Sequence, residues 1–178
     1  MNYLKKMSGH TQSPPRVNTT EIIWSWIGSF AGIAAVGLIH QHLLDRTGLM
    51  MIIGSFGASA VLIYGAIRSP LAQPRNLIGG HVLSALIGVA AFQLLGGIPW
   101  LAAAAAVSTA IALMHLTKTL HPPGGATALI AVIGGDAVHQ LGYLYALVPA
   151  GLGALVLLIV ALVVNNLAPG RRYPEFWW

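Results

Sequence analysis

The chain has 178 residues, of which 56% are hydrophobic and only 7% charged, and nine Lys or Arg against four Asp or Glu leave a net charge of +5. Soluble domains carry roughly a quarter charged residues, so this composition excludes one and implies an integral membrane protein. The absence of cysteine excludes disulfides, thiolate metal sites and cysteine nucleophiles, and the basic residues are scattered between apolar segments instead of forming a face for nucleic acid.

Residues 1–20 lack an apolar core, so they are no secretory signal peptide and read as a polar tail; a transit peptide is the weaker alternative. Beyond Ile22 the chain is apolar, with breaks at Asp45-Arg46, at Arg68-Ser69-Pro70 through Arg75-Asn76, at Gly96-Gly97-Ile98-Pro99, from Lys118 to Pro123, and from Asp136 to Gln140. They delimit six segments, at 22–42, 48–67, 77–96, 99–118, 122–135 and 142–165. A crossing helix needs ~20 apolar residues, which the fifth segment does not reach by itself. If all six cross and the N-terminal tail is cytoplasmic, Lys5, Lys6, Arg16, Arg68, Arg75, Lys118, Arg171 and Arg172 lie inside and only Arg46 outside, as the positive-inside bias favours. The alternative, four spanning helices with segments two and five re-entrant, places Arg68 and Arg75 outside.

The expected fold is therefore an all-α, polytopic membrane helix bundle. It comprises a polar cytoplasmic tail over 1–20, a transmembrane domain over 21–168 and a cytoplasmic interfacial tail over 169–178. In that last segment "RRYPEFWW" joins arginines to headgroup-seeking aromatics. The expected location is a bacterial inner (plasma) membrane with both termini cytoplasmic, in preference to an organellar membrane.

An internal echo divides the six segments. Gly57-Ala58-Ser59-Ala60-Val61-Leu62 matches Gly125-Ala126-Thr127-Ala128-Leu129-Ile130, a shift of 68 positions from Gly57 to Gly125. Three crossings per unit is an odd number, so the second unit is inverted relative to the first, as in many transporters. Each motif opens with helix breakers. Pro122 and Pro123 interrupt a helix, and Gly124 and Gly125 strip side chains from the start of the next one; Gly54, Ser55, Phe56 and Gly57 do the same in the first unit. Two half-helix N-termini meeting at mid-membrane would attract a small anion through free amides and the positive dipole end. Close helix packing through small residues is the competing explanation for these glycines.

All four acidic residues, Glu21, Asp45, Asp136 and Glu175, lie at segment ends, which disfavours carboxylate proton relays and cation sites. Of the histidines His40, His42, His81, His115, His121 and His139, His121 sits beside the glycine-rich helix start at Gly124-Gly125, where a group that switches charge near neutral pH gates an anion or carries a proton with it. Neighbouring histidines give no metal-ligand spacing, so neither metal nor cofactor is expected. Ser59 and Thr127, one turn into their helices, complete an anion's hydrogen-bond shell or bond back to their own backbone. Arg75 and Lys118 at the cytoplasmic mouth raise the local anion concentration or serve as topology determinants only. Asn165-Asn166 are expected to cap or bridge helices.

The motifs "GSFGASAVL", "SPLAQPRNLIGGH" and "HPPGGATAL", with "NN" before "RRYP", resemble in order those of the HPP family of integral membrane proteins, named for the triplet seen here as His121-Pro122-Pro123. The family is usually described with four spanning helices. Some plant plastid and cyanobacterial members are associated with nitrite transport, so the resemblance implies a permease for nitrite or a similar small anion. The substrate path then comprises Gly54, Ser55, Gly57, Ser59, His121, Pro122, Pro123, Gly124, Gly125 and Thr127. A membrane scaffold or accessory subunit without transport is the alternative, and an enzyme is not expected. The expected partners are the anion and the lipid bilayer. Six short helices offer little wall around a pathway, which favours a homo-oligomer.

Overall fold

A computed structural model describes residues 3–7, 11–44 and 49–178; the break expected at Asp45-Arg46 lies outside the described residues. Those residues form helices and connecting turns, with no strand among them. Asn18 caps the first helix, its side chain accepting from the Glu21 amide at 2.8 Å, and Glu21 in the first turn complements the positive helix end. Helix α1 runs over Thr19–Ile39 and continues as a wider turn over His40–Leu44. Helices α3 (Pro74–Leu95), α4 (Pro99–Leu116) and α5 (Pro122–Ile133) all begin with proline, where a missing N–H costs nothing. A short α6 (Asp136–His139) follows. The turn Ala146–Gly151, broken at Val148, then leads into α7 (Leu152–Leu167).

Four stretches are long and apolar enough to cross a membrane: Thr19–Leu44, Pro74–Leu95, Pro99–Leu116 and Ala146–Leu167. The other two expected segments hold shorter helices. Helix α2 covers Ser55–Ala60 and continues as a wider turn over Val61–Gly65, while residues 49–53 ahead of it are not helical. At about 1.5 Å per residue, helices of this length and of α5's 12 residues rise about 16–18 Å, roughly half of a ~30 Å hydrocarbon core.

Small residues set the packing. Val36, Gly32 and Gly28 line the buried side of α1, and the Tyr64 ring of α2 lies over the two glycines; an added Cβ at Gly28 would meet Tyr64 Cδ1 at 2.6 Å. Gly153 of α7 receives the Phe56 ring of α2. Gly80, Ser84 and Gly88 of α3 face Gly124, Ala128 and Ala131 of α5. A Cβ at Gly124 would meet Gly80 O and Ser84 Oγ at 2.8 Å, and one at Gly88 would meet Ala128 O at 2.5 Å. Residue numbers rise together along this contact, so α3 and α5 run parallel.

The segment after α7 departs from the expected interfacial tail. The Arg171 side chain is 1% exposed and Tyr173 2%, whereas Trp178 at the chain end is 86% exposed. Arg171 pairs with Glu21 at 2.8 Å and donates to the Glu21 carbonyl (2.9 Å), Ser25 Oγ (2.9 Å), Asn165 Oδ1 (3.1 Å) and the Tyr64 carbonyl (3.1 Å). Asn165 Nδ2 donates to the Ile63 carbonyl at 2.9 Å, so two side chains satisfy carbonyls at the C-terminal end of α2. Tyr173 donates its hydroxyl to Ala72 O (2.7 Å), and the Glu175 amide donates to Gln73 Oε1 (2.8 Å). The last residues are thus a strap joining the start of α1, the end of α2 and the turn before α3. The physical reason is the set of carbonyls there, which five guanidinium hydrogens can satisfy and a free tail would leave to the membrane.

Candidate functional site

The two short helices overlap at their N-terminal turns. Ser59, one turn into α2, lies against His121, the residue that precedes α5, while Ser55 at the start of α2 lies against Thr127, one turn into α5. Low numbers of one helix therefore meet high numbers of the other, so the two run in opposite directions through the crossing. Both hydroxyls back-bond to their own helix four residues earlier, Ser59 to Ser55 O (3.3 Å) and Thr127 to Pro123 O (3.2 Å), so the echoed motifs are also alike in local geometry.

His81 of α3 stands between them. Its Nε2 is 2.7 Å from Ser59 Oγ and its Nδ1 2.7 Å from Thr127 Oγ1. His121 Nε2 is 2.9 Å from the same Ser59 Oγ, and His121 Nδ1 donates to the Leu71 carbonyl at 2.8 Å. Thr127 Oγ1 is 2.9 Å from Ser55 Oγ. All five side chains are buried, and the two imidazole centroids are 5.1 Å apart. The Tyr145 hydroxyl donates to the Thr127 carbonyl (3.1 Å), and Phe56 packs its edge on His81. The seating of the histidines depends on glycine: a Cβ at Gly80 would meet His121 Cβ at 2.5 Å.

Ser55, Ser59, His121 and Thr127 of the expected path thus come together around a residue that the sequence reading does not single out. His81 carries one local signal, the preceding Gly79-Gly80, which marks a close approach by another backbone.

The glycines and prolines act differently from expectation. Pro122 and Pro123 hold the first two positions of α5, so they remove two donors instead of freeing them, and the Gly124 amide bonds back to His121 O at 2.8 Å. In α2 the Phe56 and Gly57 amides bond to Ile53 O (3.0 Å) and Gly54 O (3.2 Å). The expected cradle of free amides is therefore occupied at these positions, and the donors at the crossing are hydroxyls and imidazoles. Gly124 is a packing residue against α3. Gly125 faces an apolar groove with Val107, Ile111 and Leu129, and Gly54 and Gly57 are exposed with open space beside them.

Arg75 and Lys118 lie apart from the crossing. The Arg75 guanidinium sits over the Phe176 ring at 5.5 Å, and Lys118 is exposed after α4 with φ of 57°. No group of three or more metal-ligating side chains occurs among the described residues.

The family described as "HPP, transmembrane region" matches residues 14–174, a range that includes the crossing, His81 and the strap as far as Pro174. Two transmembrane proteins of Dictyostelium discoideum are 47% and 46% identical to the chain over 181 and 183 aligned residues; the alignments take in all of this chain and 58% and 64% of theirs. The chain spans about three fifths of the length of these curated relatives. No solved structure matches it. The match across nearly the whole chain, through His121-Pro122-Pro123 itself, places this protein in the HPP family of transmembrane proteins.

Proposed function

We propose that the protein is a permease for a small monovalent anion, nitrite foremost, and that the ion passes the crossing of α2 and α5. One observation carries this reading: five mutually bonded hydroxyl and imidazole groups are buried where two half-length helices overlap. Polar groups in the depth of a membrane protein are expensive and mark a pathway by default. This set holds ring N–H and hydroxyl donors and no carboxylate, a chemistry that suits an anion, and the positive ends of two oppositely directed helices add to the attraction. With the Phe56, Gly57 and Gly124 amides occupied, the ion takes over the hydrogen bonds that Ser59, His81 and Thr127 now exchange. Arg75 and Lys118 concentrate it at the mouth.

Several contacts support six passages, two of them only part helical, arranged as two inverted three-helix units. The Glu21–Arg171 pair, the parallel run of α3 and α5 and the antiparallel crossing of α2 and α5 are each what that arrangement requires. With basic residues near the two chain ends, we place both termini in the cytoplasm, and the membrane as a bacterial inner (plasma) membrane; the Dictyostelium relatives extend the domain beyond bacteria. A homo-oligomer completes the wall around so small a bundle.

A scaffold without transport is the second reading, favoured by the tight seat of Gly124 on Gly80 and Ser84. Purified protein in vesicles, given nitrite, nitrate and formate in turn, separates the two. The permease reading expects at least one anion to move faster than in protein-free vesicles; equal rates for all three leave the scaffold.

A further inference from the structure

The direction of every hydrogen bond at the crossing follows from one carbonyl. Leu71 O can only accept, so His121 Nδ1, 2.8 Å away, carries a hydrogen. In neutral His121 the other nitrogen, Nε2, is then bare, and at 2.9 Å it takes the Ser59 hydrogen in preference to the Ser55 carbonyl at 3.3 Å. Ser59 has a single hydrogen, so at its 2.7 Å contact with His81 it accepts, which puts the His81 hydrogen on Nε2. His81 Nδ1 is therefore bare and takes the Thr127 hydrogen at 2.7 Å, the nearest of the three acceptors that this hydroxyl faces, ahead of Ser55 Oγ at 2.9 Å and the Pro123 carbonyl at 3.2 Å; with that hydrogen turned to His81, the Ser55 hydroxyl turns to donate to Thr127. Five side chains thus form one unidirectional line from Ser55 to Leu71.

We propose that this line is a proton relay with His121 as its store. A proton arriving from water at Ser55 Oγ pushes one hydrogen along each link: Ser55 to Thr127, Thr127 to His81 Nδ1, His81 Nε2 to Ser59, Ser59 to His121 Nε2. Ser55, Thr127, His81 and Ser59 each end with as many hydrogens as they began. His121 alone gains one and becomes an imidazolium, and the four links before it reverse direction. Opening of the Nδ1–H···O=C bond lets His121 release its proton to water beside Leu71. It then holds its hydrogen on Nε2, and the links must turn back before the next transfer. The outer ends of the line approach the surface of the chain: Gly54 before Ser55 is exposed, and Leu71 lies in a turn with exposed Pro70.

The surroundings leave the two histidines as the titrating pair. The polar side chains that helix α2 presents to them are Ser55 and Ser59, α5 presents Thr127, and the turn before α3 contributes the Leu71 carbonyl. The turn before α7 contributes Tyr145, whose hydroxyl is committed to Thr127 O. Helix α7 has no ionisable residue, Arg75 of α3 is turned to Phe176, and no acidic side chain among the described residues bonds to the line.

The relay rests on the permease reading for its purpose, the coupling of proton to anion, but not for its chemistry. The test uses the full chain in vesicles holding a pH-sensitive dye, with a potassium diffusion potential, in gluconate buffer with and without external nitrite. Faster proton entry than in protein-free vesicles is expected in at least one of the two conditions, falling to the protein-free rate in Ser59→Ala and returning in Ser59→Thr. Each variant is first required to elute as a single species and melt cooperatively in detergent. Thr127→Val and Thr127→Ser repeat the comparison at the other nitrogen of His81. Nitrite flux with no accompanying proton overturns the relay and leaves the permease standing. Proton flux without nitrite flux upholds the relay and removes the permease. Parent-rate proton flux in folded Ser59→Ala overturns the relay, as does nitrogen-15 NMR of the labelled parent if neutral His81 carries its hydrogen on Nδ1.

Discussion

Ser59 and Thr127, equivalent residues of the two echoed motifs, each bond one nitrogen of the same imidazole, that of His81, at 2.7 Å. A duplicated hydroxyl thus serves two sides of one ring, and the ring is held in one orientation without a charged partner. Thr127→Val keeps the shape of the side chain but leaves His81 Nδ1 without its donor. Loss of a partner to a buried acceptor costs about 1–3 kcal/mol. Thermal unfolding in detergent should show that loss for Thr127→Val and little change for Thr127→Ser. Equal stability of all three would mean that water or another group serves the nitrogen.

Adjacent glycines of the second motif should respond in opposite ways. A methyl at Gly124 would press on Gly80 O and Ser84 Oγ at 2.8 Å, backbone and core that have no room to give, so Gly124→Ala should lower stability by roughly 1–3 kcal/mol. At Gly125 the nearest atom is Val107 Cγ1 at 3.9 Å, and alanine there gains up to about 1 kcal/mol of helix propensity. Melting curves of the two single variants decide this. A Gly125→Ala protein as damaged as Gly124→Ala would show that another chain or substrate occupies that groove.

Helix ends were legible where the chain carries punctuation. Pro74, Pro99 and Pro122 open helices as their fixed backbone angle and missing N–H lead one to expect. The start of α2 was not legible in the same way: "GLMMIIGSF" is one apolar run, and nothing before Gly54 says that 49–53 is not helical. The motif echo led to Ser59, Thr127 and His121, because local repetition is visible in one dimension. It did not lead to His81, which belongs to neither motif and meets them only through the glycine-mediated approach of α3 to α5. Arg171 was misplaced for a related reason: an arginine beside tyrosine and tryptophan has the composition of a headgroup anchor, and only the fold reveals the carbonyls it satisfies.

Arg171 should be the most stability-sensitive cation in the chain. Its removal leaves Tyr64 O and Asn165 Oδ1 without their guanidinium donor and separates the start of α1 from the end of α2. Breaking a buried charged network typically costs about 3–5 kcal/mol, so Arg171→Ala should melt well below the parent, while exposed Arg172→Ala should not differ. Arg171→Lys keeps the charge but has fewer donors in a different geometry and should fall between them. Matching melting curves for Arg171→Ala and Arg172→Ala would show that the strap contributes nothing to stability.

Single cysteines in this cysteine-free chain distinguish six passages from four. Gln73 is fully buried and would be silent to a label, whereas Arg68, Lys118, Ala137 and Arg172 are all exposed. With six passages, cysteines at 68 and 118 react with an impermeant maleimide from the same side as one at 172, and a cysteine at 137 reacts from the opposite side. With four passages and re-entrant α2 and α5, cysteines at 68, 118 and 137 all react from the side opposite 172. The two patterns differ at two positions, so one set of labelled cells decides between them.

Lys118 offers a way to test the anion-attracting mouth without disturbing the fold. Helix α4 ends with the Lys118 amide bonded to His115 O (3.2 Å) and the Thr119 amide to Met114 O (2.9 Å), a closure that places residue 118 in the left-handed region, at φ of 57°. Glycine is the residue that fits this position, and a residue with a Cβ costs about 1–2 kcal/mol there. A lysine at that site is therefore kept against backbone preference, and its charge is the property glycine lacks. Lys118→Gly relaxes the backbone and removes the charge together, so a loss of transport cannot be ascribed to a damaged helix end. If the charge concentrates anions, initial nitrite uptake should fall several-fold in Lys118→Gly at low ionic strength. The gap to the parent should then close as a gluconate salt shortens the screening length from about 30 Å at 0.01 M to about 8 Å at 0.15 M. Lys118→Glu should deepen the low-salt loss and show the same salt dependence. A Lys118→Gly protein that melts at or above the parent temperature and takes up nitrite at the parent rate in low salt would leave Lys118 as a topology determinant only, and would move the search for the mouth to Arg75.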